Sequence, residues 1–143
     1  MKYILAAVLS LALMPIMAMA GDFEKGWAAY QDGDYTTAFC NWVRPAFDVG
    51  HPKFEGAAFM LGHMYDEGIG VPKDEVLAHM LFSMVTAQSD DTLAPFAEVA
   101  RDGLEKRMSP ADISKSLRLA GICVAVAYDG GCIQSHPPSD VCD

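Results

Sequence analysis

The chain has 143 residues, 52% of them hydrophobic and 20% charged, with a formal net charge of −9. That length holds one ordinary domain, and that apolar content excludes wholesale disorder. The acidity argues against nucleic acid and anionic lipid surfaces as partners.

Lys2 opens an apolar run from Ile4 to Met19, and Ala18-Met19-Ala20 has the small-x-small form of a cleavage site. These features predict a secretory signal peptide over residues 1–20. The run is short and holds Pro15, so it is not read as a lasting membrane anchor. The destination expected is the bacterial periplasm or the medium, with no membrane association after cleavage.

Beyond residue 20 the apolar spacing is helical throughout. Phe23, Trp27 and Tyr30 share one face of a first helix. Asp34 sits where an N-cap would, and a second helix runs towards Val49 with Ala38, Phe39, Trp42 and Ala46 as its stripe. Pro45 should kink that helix or end it. A third helix is expected from Phe54 to Tyr65. A loop with Gly68, Gly70 and Pro72 follows, then Asp74 as N-cap of a fourth helix, Glu75 to Ala87. A fifth spans Thr92 to Arg107, with Leu93, Phe96, Ala97, Ala100 and Leu104 inward. Ser109-Pro110 starts the sixth, which runs to Ala127 with Ile113, Leu117, Ala120, Gly121 and Val124 inward. The organisation expected is a helical domain over residues 21–128 and an irregular tail over 129–143.

The helices repeat. Asp34 and Ala38 align with Asp74 and Ala78 at an offset of 40, which also matches Trp42 to Phe82. Upstream, Tyr30 meets Tyr65 and Gly33 meets Gly68 at an offset of 35. Helix-turn-helix units of this size belong to α-solenoids, where stacking closes a core that one unit cannot close alone.

The segment with Ala58, Leu61, Gly62, Tyr65, Gly68, Gly70, Val71, Asp74, Ala78 and Phe82 resembles a Sel1-like repeat. Residues 23–50 resemble a degenerate copy with a shortened loop. The resemblance implies an all-α fold, a short α/α superhelix of such repeats, related to tetratricopeptide proteins. It also implies work by protein–protein contact, and it makes the motif residues structural. Some cysteine-rich members of the family bind or hydrolyse β-lactams. Here the complete repeat, residues 54–89, holds no cysteine.

Cys40, Cys123, Cys132 and Cys142 in an exported chain argue for two disulfides. Three connectivities are open. Short loop closure gives a weak preference for Cys132–Cys142, leaving Cys40 with Cys123; Cys123–Cys132 is the local alternative. Of the histidines, His63 and His79 fall on the two helices of one repeat near Asp66 and Glu67, and are read as polar residues at the solvent edge. Neither a zinc motif nor a nucleophile motif is present, and no cofactor is expected. Met60 with Met64, and Met80 with Met84, are spaced i and i+4, and could line a flexible groove for a partner.

The reading is an exported repeat protein acting as an adaptor or scaffold for another exported or envelope protein or peptide. The alternative is a small periplasmic hydrolase or ligand-binding protein on the same scaffold, acting on cell-wall-related or β-lactam-like substrates. An enzyme would carry a buried polar cluster in a cleft.

Overall fold

Asp34 and Asp74 do the same work forty residues apart. Each carboxylate accepts a hydrogen bond from a backbone N–H three residues on, Thr37 at 3.1 Å and Leu77 at 3.0 Å. Each thereby satisfies an orphan donor and starts the second helix of a pair. The computed structural model describes residues 21–88, 92–125 and 142. The predicted signal peptide lies outside these residues, as does the predicted tail apart from Cys142.

The described residues form six α-helices and no strand: α1 (Asp22–Gln31), α2 (Tyr35–Ala46), α3 (Phe54–Glu67), α4 (Glu75–Gln88), α5 (Ala94–Glu105) and α6 (Pro110–Ala125). α2 ends one residue after Pro45, as a proline in the last turn requires. α5 begins at Ala94 rather than Thr92, which puts Pro95 in the first turn, where a missing N–H is harmless. Ser109 caps α6, accepting from the Asp112 N–H at 3.1 Å.

α1 packs on α2, α2 on α3, and α3 on α4. α4 then carries both α5 and α6. Enclosed on three sides, α4 is buried at every residue from Leu77 to Val85. The sequence predicts only a stripe there. Apart from His79, these positions are apolar or small, which is what permits burial all round.

The two helix pairs match in detail. Ala38 and Ala78 are both fully buried, as are Trp42 and Phe82 to within 1%. Gly33 and Gly68 take positive φ just past α1 and α3. A Cβ on Gly26 would run into the Trp42 indole, and one on Gly62 would lie 2.9 Å from the Phe82 ring. In each pair a glycine on the first helix lets an aromatic ring on the second approach its backbone closely. The two glycines sit one register position apart relative to Tyr30 and Tyr65.

The inward faces of α5 and α6 differ from expectation. Phe96 is 63% exposed, while Ala97 and Leu104 are buried. On α6, Ala120 is buried as expected, but Leu117 and Gly121 face outward and Ser116 and Cys123 are buried in their place. The buried face is thus rotated by one residue. The small side chains let α6 approach α4 closely, and a polar contact described below fixes that register.

Candidate functional site

The repeat-motif residues lie in the frame. Ala58, Leu61, Gly62, Tyr65, Ala78 and Phe82 are buried between helices. Burial, and secondarily Asp74, pushes the Tyr65 phenol up to about 12, so it stays neutral. Asp74 caps α4, Val71 packs against the core, and Gly68 and Gly70 shape the turn. Gly70 has φ +71°, and a side chain there would collide with Tyr35 Cβ, so the loop rests directly on the start of α2.

The methionines do not form a groove. Met64, Met80 and Met84 are at most 1% exposed, and Met60 is partly buried against the same core. Because α4 is enclosed on three sides, both of its methionines become packing residues rather than surface.

The cysteines connect differently from the preferred pairing. Cys40 on α2 is bonded to Cys142, with Cα atoms 5.5 Å apart, across 102 residues of chain. Cys123 is buried on α6 and is also disulfide-bonded, to a partner outside the described residues. α2 packs on α1 and α3, whereas α6 packs on α4, so Cys40 and Cys123 belong to different parts of the helix stack. The observed bond is the one that the local alternative, Cys123–Cys132, leaves for Cys40.

His79, expected at the solvent edge, is fully buried. Its Nε2 lies 3.1 Å from the Glu105 carboxylate on α5, and its Nδ1 lies 2.7 Å from the Ser116 hydroxyl on α6. Both ring nitrogens thus lie within hydrogen-bonding distance of an oxygen, the direction of each bond being set by the imidazole tautomer. The hydroxyl also donates to the Ile113 carbonyl at 2.8 Å. One imidazole therefore joins α4, α5 and α6. Ser116 and His79 have no exposed surface, so the histidine and serine of this glutamate–histidine–serine contact are closed to solvent in this structure. Its role is to set the register of α6. Replacing His79 by leucine should lower stability by ~1–3 kcal/mol, the range for a lost buried hydrogen-bond partner. The urea midpoint with an unchanged m-value would measure this.

Arg107, just past α5, pairs with Glu75 at 2.7 Å and with Asp66. The guanidinium holds the Glu75 carboxyl below its usual range. This ties the ends of α3 and α5 to the start of α4. His63 is exposed and apart from His79, and among the described residues no cluster of three or more metal-ligating side chains occurs.

Two clefts open between these elements. One, of about 510 Å³, lies between Phe23, His51, Lys53, Glu55 and Leu93. Its lysine is engaged by Glu24 at 2.8 Å and lies over the Phe23 ring. The other is a shallow hollow beside Lys73, Glu75 and Asp112.

The surface itself is more distinctive. On α1 and the start of α2, Trp27 is 42% and Tyr35 37% exposed. Tyr30 lies between them, stacked with Trp27 at 6.2 Å and meeting Tyr35 edge-on at 5.3 Å. Behind it Tyr30 touches Trp42 at 5.6 Å, which anchors the ledge to the core. The Tyr30 phenol is raised by burial first, then by Tyr35 and by the nearby Glu67 carboxylate. On the far helices, Phe96 and Val99 of α5 and Leu117 and Ile122 of α6 are at least half exposed. The helical spacing places Trp27 on the face of Phe23 and Tyr30, but not at its open edge.

No helix among the described residues is long and apolar enough to cross a membrane. A scan against protein-family models, a search of curated proteins and a search of solved structures each gave no match.

Proposed function

We propose that this is an exported Sel1-like repeat protein, its helix pairs stacked as a short α/α solenoid, that holds another exported or envelope protein or peptide. The equivalence of the two pairs supports the repeat reading: matched aspartate caps, positive-φ glycines, buried alanines and glycine–aromatic contacts. The observation that carries the function is the outward placement of large apolar side chains on that frame. Trp27, Tyr35, Phe96 and Val99 keep between 37% and 75% of their surface in water, and aromatic anchors of this kind are enriched in protein interfaces.

The test is affinity capture. The oxidised chain from residue 21 onward is immobilised and exposed to native periplasmic extract at several salt concentrations, with a reduced sample in parallel. A single protein retained in stoichiometric amount by the oxidised form is the expected outcome. Retention of nothing by either form would overturn the reading.

A further inference from the structure

The ledge on α1 and α2 is bordered mostly by acidic groups, and the neighbouring lysines are already paired, Lys25 with Asp22 at 3.6 Å and Lys73 with Glu75 at 3.4 Å. No Lys, Arg or His occurs from Gly26 to Val43, while Asp32 and Asp34 lie in the turn between the two helices. From Phe54 to Pro72 there is again no Lys or Arg, and this segment ends α3 with Glu67. The turn after Glu67 lies on Tyr35, since Gly70 abuts that residue's Cβ and backbone. Glu67 is thereby brought to the Tyr30–Tyr35 end of the ledge. It is exposed, and no cation pairs with it among the described residues. Asp66 beside it is already taken by Arg107.

We propose that the ring faces of Trp27, Tyr30 and Tyr35, with the Glu67 carboxylate, receive an arginine side chain from a basic segment of the partner protein. This rests on the protein-binding reading above and names the chemistry of that partner. The reasoning is one of complementarity. A purely apolar partner would cover the rings but strip water from Glu67 without replacing it, which is unfavourable for an unpaired carboxylate. An acidic partner would meet like charge at Asp32, Asp34 and Glu67. A guanidinium satisfies both halves of the surface. Its plane lies on an aromatic face, which its positive charge finds attractive, and its N–H fork reaches a carboxylate at the rim. The rings are held for this in advance. Tyr30 is braced by Trp42, and Tyr35 by the glycine turn, so few rotamers are left to freeze on binding.

The probe is the peptide acetyl-Gly-Arg-Gly-Arg-Gly-amide, with its Glu-for-Arg counterpart, titrated into the oxidised protein at low and physiological salt. The Trp27 indole N–H resonance reads occupancy of the ledge. The Arg peptide should shift that resonance and the Glu peptide should not. Trp27→Ala and Glu67→Gln should each weaken binding of the Arg peptide roughly 3- to 10-fold. Glu98→Gln, which removes the same charge from α5, should leave it within twofold. Circular dichroism would show that all three variants keep their helix content. Binding that falls equally in Glu98→Gln is diffuse attraction to an acidic protein and overturns the proposal. So does the absence of any shift at Trp27. The same variants separate the two readings in the capture experiment. A partner retained equally by wild type and Trp27→Ala would remove the ledge and leave protein binding standing. Retention of nothing would remove both.

Discussion

Replacing Trp42 by alanine should destabilise the protein by about 3–5 kcal/mol, the range for deleting a fully buried aromatic ring. Trp42 is 0% exposed and sits against Phe23 at 5.9 Å and Tyr30 at 5.6 Å. Its Nε1–H donates to the Phe23 carbonyl at 3.1 Å. Truncation removes the transfer free energy of the indole, opens a cavity against Gly26, and leaves that carbonyl without its donor. The loss is a large fraction of the 5–15 kcal/mol that usually separates folded from unfolded domains. Thermal melting of the oxidised chain would read it directly. Trp27, on the outer side of the same cluster, supplies the contrast: its ring is 42% exposed and its loss should matter far less to folding.

Replacing Cys40 by serine should have a comparable effect for a different reason. The bond to Cys142 closes 102 residues of chain, and a loop of that size removes about 4–5 kcal/mol of unfolded-state entropy in the chain-entropy account. A denaturant titration of Cys40→Ser against wild type measures it. A loss under ~1 kcal/mol would mean that the unfolded chain is already restricted, or that native strain offsets the gain.

How much of this can be read from residues follows from how local each cause is. Asp34 and Asp74 announce themselves because a cap acts over three residues, and Gly33 and Gly68 because a turn acts over four. The recurrence is legible for the same reason, being local signals that return at offsets of 40 and 35 residues. The position of His79 is not. Its partners lie 26 and 37 residues away, on helices whose docking nothing nearby dictates. Periodicity puts Leu117 inside because leucine is apolar. The structure puts Ser116 inside because one buried imidazole needs an oxygen there. The methionines mislead similarly. Their i, i+4 spacing defines a face correctly, but only the number of helices around α4 decides whether that face meets water. The cysteine pairing depends on where the chain end returns, which is the least local fact of all. The ledge is half legible: its aromatics and its lack of basic residues are in the sequence, while the approach of Glu67 requires the glycine turn to land on α2.

The Cys40–Cys142 bond has a mechanical meaning as well. α3 to α6 all lie between the two cysteines, so the oxidised chain is a short lead attached to a ring. At ~3.3–3.6 Å per residue, the ring would add roughly 340–370 Å of slack if it could be drawn out straight. It cannot be, while the sulfurs stay joined. A load applied on either side of the two cysteines passes through the covalent link and bypasses those four helices, while α1 and the start of α2, outside the ring, still bear it. Pulling would therefore open α1 and the first turn of α2 and leave α3 to α6 folded for as long as the sulfurs stay joined.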